Sequence, residues 1–180
     1  HGHIAALGFE LYCQLVEEAA RELRGEKVKR RILPVVDLGI DAYLPDQYIP
    51  SPAQKIAFYK RISAAQTQKQ LDEIGEELAD RYGPLPPEAQ RLMATMSLRL
   101  MGADTGVELV GRARNMLLFK FRRHIEPDRS TLHRLITRYQ QKTEVEFDGS
   151  LRFTVKLTDN REEEILSTAR DVLEEIVAAR

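Results

Sequence analysis

Four carboxylates, Glu73, Glu76, Glu77 and Asp80, recur at i, i+3, i+4 and i+7 just ahead of an Arg81-Tyr82-Gly83 stop. At about 100° per residue that spacing aligns them along one side of a helix. Leu71, Ile74, Leu78 and Tyr82 fall on nearly the opposite side and form its apolar stripe. The chemistry such a face can do is ionic recognition. Acids in a last turn oppose the helix macrodipole, at roughly 0.3–1 kcal/mol each. Two readings stand side by side: a solvated face eased by a Glu77–Arg81 pair in the favourable i,i+4 order, or a docking face for something basic.

Two cationic clusters offer the opposite chemistry. Lys27, Lys29, Arg30 and Arg31 follow one another in "KVKRR", and Lys120, Arg122 and Arg123 stand in "KFRRH" with Phe119 and Phe121 interleaved. Interleaved aromatics and cations suit nucleic acid, and they also describe one half-buried strand. Catalysis is not visible. No glycine-rich phosphate loop, dinucleotide fingerprint or nucleophile elbow occurs. His124 and His133 have no Cys or second His at metal-ligand spacing, so no metal site is expected. Cys13, the only cysteine, falls in an apolar helical pattern and reads as a small buried thiol. The fragment is therefore read as a non-enzyme that needs no cofactor of its own.

These side chains need elements to hold them. Leu11, Leu15 and Ala19 repeat every four residues, which predicts a helix from Phe9 to about Arg24, stopped by Gly25. "ILPVVDLGIDAYLP" reads as extended chain or a short strand. Ser51-Pro52 marks an N-cap with proline at the first helical position, and that helix is expected to turn Ile56, Tyr59 and Ile62 inward. Thr67 and Gln70 match a capping box that opens the acidic helix, and Gly83 caps its end. A third helix starts near Pro87, with Ala89, Met93, Met96 and Leu100 to one side.

After Gly106 the pattern changes. "VELVGRARNMLLFKF" predicts two strands about a Gly-Arg turn, and "STLHRLITRYQ" a short helix capped by Ser130. "TEVEFDGSLRFTVKL" alternates on both sides of Asp148-Gly149, a hairpin with Gly149 at positive φ. The tail from Arg161 is an amphipathic helix through Ile165, Ala169, Val172 and Ile176. The fold class is α+β: a helical N-terminal half, then a small mostly antiparallel sheet with flanking helices.

The 180 residues are 43% hydrophobic and 31% charged, enough apolar material for one domain core. Lys+Arg total 27 against 28 Asp+Glu, so no general polyanion binder is indicated, though local patches remain open. No apolar run approaches the roughly 20 residues of a membrane span. Residue 1 is not Met and the opening lacks a secretory pattern, so an excised cytoplasmic piece is expected.

"GHIAALGFELYCQLVEEA", "IDAYLPDQYIPSPAQKIAFYKRI" and "EELADRYGPLPPEAQRLM" are long, ungapped segments. In them the chain resembles the C-terminal domain of bacterial transcription-repair coupling factors. From about Val107 it matches only in its pattern of elements. The resemblance implies that residues 1–25 are a helix leaving a translocase core and residues 26–180 a regulatory domain. It implies a parent that hydrolyses ATP with Mg²⁺ on double-stranded DNA, displaces stalled RNA polymerase and recruits excision repair. The domain itself would be a non-catalytic, autoinhibitory module. It would dock on a UvrB-like module of the same polypeptide and mask the surface that binds UvrA. The family's Glu-x-x-Asp contact pair falls on Glu77 and Asp80, with Glu73, Glu76 and Arg81 alongside. Ala79 stands where a larger aliphatic is usual, and Tyr82 where Phe is frequent. The alternative is a nucleic-acid module working through residues 27–31 and 120–123.

Overall fold

The computed structural model describes residues 32–103 and 105–178. The expected helix at 9–24, Cys13 and the basic cluster at 27–31 lie outside them. The chain divides into two compact units, one holding residues 41–96 and the other residues 32–40 and 97–178 of the described chain.

The first unit is helical. Helix α1 (Pro52–Ala64) starts as the sequence signals, with the Ser51 hydroxyl accepting from the Gln54 amide. Helix α2 (Gln68–Tyr82) has Thr67 as its N-cap. The Thr67 hydroxyl accepts from the Gln70 backbone amide at 3.2 Å, while the Gln70 side-chain Oε1 accepts from the Gln66 backbone amide at 2.8 Å. The box is thus closed one residue further upstream than the simplest form. Gly83 ends α2 with φ +87°, a conformation open to glycine. Helix α3 (Pro87–Gly102) begins in this unit and continues into the other.

Leu44, Ile49, Phe58, Ile62, Ala65, Leu71, Ile74, Leu78, Ala89 and Met96 form the unit's buried apolar set. At Gly75, α2 faces α3: a Cβ there would lie 3.4 Å from the Met93 methyl, close to an ordinary contact. One expectation fails. Ile56 is exposed, and Phe58 takes the inward place beside Ile62. Both residues fit a helical stripe that includes Ile62, and packing against α2 selects Phe58, whose ring meets Tyr82 edge-on at 6.0 Å.

The second unit is a five-stranded sheet with two helices. Strands β1 (Val35–Asp37), β2 (Val107–Ala113), β3 (Met116–Phe121), β4 (Thr143–Phe147) and β5 (Leu151–Lys156) lie in the order β1-β2-β3-β5-β4. β1 runs parallel to β2 and every other pairing is antiparallel. The sheet is mixed because a strand from the otherwise helical first half joins it. The turn between β2 and β3 falls at Arg114-Asn115, with Arg114 at φ +56°, and not at Gly111-Arg112, which lies within β2.

Helix α4 (Arg129–Tyr139) is capped by Asp128, not Ser130. The Asp128 carboxylate accepts from the Ser130 and Thr131 amides at 2.8 and 3.0 Å and from both hydroxyls. Those donors favour its charged form and hold its carboxyl well below the usual range. Helix α5 (Glu162–Val177) closes the unit. Leu117, Phe119 and Phe121 of β3 and Leu151, Phe153 and Val155 of β5 are buried at alternate positions, as are Leu135 of α4 and Ile165, Ala169, Val172 and Ile176 of α5. Among the described residues no helix is long and apolar enough to cross a membrane.

Candidate interaction face on helix α2

Leu71, Ile74 and Leu78 turn inward on α2, at 1%, 5% and 0% exposure, and leave Glu73, Glu76 and Asp80 exposed on the far side. Tyr82 is half-buried, and its hydroxyl donates to Gln54 Oε1 at 2.7 Å. Tyr48, from the loop before α1, ties down the end of α2: its hydroxyl lies 3.0 Å from the Leu78 carbonyl, in the last full turn, and 2.8 Å from that of Gly83, just past the helix. Burial, then the neighbouring Tyr82, pushes the Tyr48 phenol up. The Arg-Tyr-Gly stop is therefore pinned by a side chain from elsewhere in the unit.

The four carboxylates have different fates. Glu77 is enclosed: its Oε2 accepts from the Arg61 guanidinium at 2.5 Å and its Oε1 pairs with Arg81 at 2.7 Å. Arg61 lies over the Phe58 ring at 5.3 Å and Arg81 at 6.0 Å, so the two cations share one aromatic platform. The hydrogen bond from Arg61, with the charges of Arg61 and Arg81 behind it, holds the Glu77 carboxyl below its ordinary value. Glu73 faces Lys69 loosely at 3.9 Å, both side chains well exposed. Glu76 and Asp80, one helical turn apart, have no hydrogen-bonding or ionic side-chain partner among the described residues.

The expected site residues are thus only partly brought together. Arg81 pairs with Glu77 as the i,i+4 spacing predicts. Arg61 is the residue that spacing could not find, because it arrives from α1. It neutralises the acid that the resemblance made a contact, and leaves Asp80 with Glu76 as the pair uncompensated among the described residues.

The basic cluster at 120–123 is divided. Lys120 pairs with Glu108 of β2 at 2.6 Å, and Arg122 donates to the Ile32 carbonyl at 2.7 Å. Arg123 is exposed without a partner among the described residues. His124 and His133 are exposed. Among the described residues no three His, Cys, Asp or Glu converge on a metal-sized site.

A helical unit followed by a unit with a mixed sheet makes an α+β fold, and that fold has a solved counterpart. The crystal structure of the C-terminal domain of a transcription-repair coupling factor superposes with a TM-score of 0.73. The match covers 82% of this chain and 93% of that one at 24% identity, a likeness of fold. The TRCF domain family model matches residues 38–132, and the chain belongs to that family. Transcription-repair-coupling factors of Staphylococcus epidermidis and Staphylococcus haemolyticus are 40% and 39% identical to it over 112 residues. That stretch is 61% of this chain and 10% of each relative, so the chain spans about a tenth of the curated relatives it matches.

Proposed function

We propose that this chain is the regulatory domain of an ATP-dependent DNA translocase that couples transcription to nucleotide excision repair. In this reading residues 26–180 form the domain, and residues 1–25 link it to the motor. The domain does no chemistry. ATP and Mg²⁺ serve the motor, and RNA polymerase, double-stranded DNA and UvrA are met through the parent protein in the cytoplasm. The domain docks on the UvrB-like module of the same polypeptide and masks its UvrA-binding surface. Family membership supports the setting. The observation that carries the docking face is Asp80 with Glu76, two exposed carboxylates unpaired among the described residues, in the part of a helix where the dipole disfavours them.

Asp80→Lys in the full-length protein is the cleaner probe. Glu77→Lys would also set a cation against Arg61 and Arg81, mixing folding with docking. Reversing a charge at a partly desolvated contact is worth on the order of several kcal/mol. Part of that would shift a closed-to-open equilibrium more than tenfold. Asp80→Lys should raise UvrA binding and basal ATPase while the isolated domain keeps its melting point. Unchanged UvrA binding and ATPase in a folded mutant would exclude Asp80 from the inhibitory contact.

The competing nucleic-acid reading has less support, because in the 120–123 cluster Lys120 is already paired with Glu108 and the Arg122 guanidinium is turned to the Ile32 carbonyl. Salt-dependent DNA binding by the domain would favour it.

A further inference from the structure

The two edges of the sheet are finished differently. β1 is three residues long and follows Pro34, which has no N–H to offer. The carbonyls of Ile32, Pro34 and Leu38 around it accept from the side chains of Arg122, Arg99 and Arg112, at 2.7, 3.2 and 3.4 Å. β4 has none of this. It is a five-residue edge strand without proline or bulge, and no strand lies on its outer side among the described residues.

The side chains of β4 are also unusual for an edge left to water. Val145 lies opposite Phe153 and Phe147 opposite Leu151, so they point to the same side as two buried residues. Yet Val145 is 43% exposed and Phe147 66% exposed. On the other side of the strand stand Glu144 and Glu146. Glu146 and Asp148 share one guanidinium, that of Arg152, at 3.2 and 2.9 Å. The Glu144 carboxylate has no partner among the described residues. Lys142, in the turn before the strand, is held by the Thr158 hydroxyl at 2.8 Å.

We propose that the β4 edge receives an extended polypeptide segment in which Lys or Arg alternates with apolar residues. Added as a sixth strand, such a segment satisfies the outer hydrogen-bonding edge of β4. Its cations fall opposite Glu144 and Glu146, and its apolar residues cover Val145 and Phe147. A second copy of this chain fits worse. Antiparallel self-pairing centred on Val145 sets Glu144 against Glu146 twice. Centred on Glu144, it gains two Lys142–Glu146 pairs but opposes Glu144 to itself. The alternation that invites a cationic strand is thus the one that keeps copies apart.

The test uses this 180-residue chain and an acetylated Lys-Val-Arg-Ile-Lys-Val peptide as probe. Controls are a peptide of the same composition with its three cations in one block, and the probe N-methylated at alternate residues. The alternating probe should bind and shift the amide resonances of Thr143 to Phe147. Glu144→Lys with Glu146→Lys should weaken it at least tenfold, and Val145→Thr with Phe147→Thr should weaken it without touching the charges. Both double variants change exposed side chains, and circular dichroism checks that each is folded. The idea is overturned by no binding, by equal binding of either control, or by binding that survives charge reversal. It is equally overturned if sedimentation shows a dimer that the β4 variants dissolve, since a second copy then owns the edge.

Discussion

Carboxylates crowd two helix ends in this molecule, the last turns of α2 and the first turn of α5, and the two ends treat them in opposite ways. At α5, Glu162, Glu163 and Glu164 sit where the dipole favours anions. Glu164 also accepts from the Thr158 and Asp159 amides at 2.8 and 2.6 Å, and Asp159 accepts from the Arg161 amide at 2.8 Å. The acids of α5 thus answer to their own dipole and turn. At α2 the dipole is adverse, and the unit brings in Arg61 and Arg81 to compensate Glu77, while no described residue pairs with Glu76 or Asp80. A run of acids becomes informative only after the local fold has used what it can. The remainder is small, two residues, and it is what the docking proposal rests on.

That contrast can be broken at three strengths. The strongest test asks what holds α2 in place. Leu78→Ala removes a fully buried side chain and should cost about 2–5 kcal/mol in a urea melt. Glu76→Gln with Asp80→Asn should leave the midpoint unchanged or slightly raised. If the acidic-face variant were the more damaging, those residues would be serving the fold. A middle-sized effect belongs to α5. Glu164→Ala strips the acceptor from two backbone amides and should cost about 1 kcal/mol. Glu163→Ala, which removes no such acceptor, should cost much less. Equal losses would mean that charge alone, not capping, governs that end.

The smallest effect is a pH dependence. Because Arg61, and then Arg81, hold the Glu77 carboxyl below its unfolded value, the unfolded chain binds more protons between the two values. The clip's contribution is complete above the unfolded value, near 4.3 in model peptides, and is lost as pH falls through the folded one. Glu77→Gln should therefore melt below wild type at about pH 6, with the gap narrowing as pH falls below the unfolded value. A gap that stays constant over that range would assign the clip's effect to packing on Phe58.

Short-range signals were legible in the sequence. Ser51-Pro52, Thr67 with Gln70, Gly83 and Asp148-Gly149 each combine a local steric or capping need with the residue that meets it, and each stands where expected. The three-residue turn of Asp148 to Ser150 carries Gly149 at φ +74°. What escaped was, apart from one local choice of cap, settled at long range. Asp128 and Ser130 are both competent caps, and the choice follows from how many donors the carboxylate gathers. Phe58 displaces Ile56 because another helix brings Tyr82 to it. β1 finds its partner far along the chain, and nothing in "VVD" says parallel. Arg61 reads as an ordinary surface cation until α1 lies beside α2.

The pairing of Val35 with Leu109 has a practical bearing on how this protein is cut. The sheet unit is assembled from two separate stretches of chain, with residues 41–96 inserted between them. A fragment trimmed to the family's matched span, 38–132, would start after β1 and stop inside α4. It would keep β3 but lose β5, stripping cover from Phe119, whose ring sits 6.3 Å from that of Phe153. Such a fragment should express as an aggregate, whereas one that retains Ile32 through Ala178 keeps both halves of the sheet. For this protein, the stretch most easily recognised by sequence is shorter than the stretch that folds.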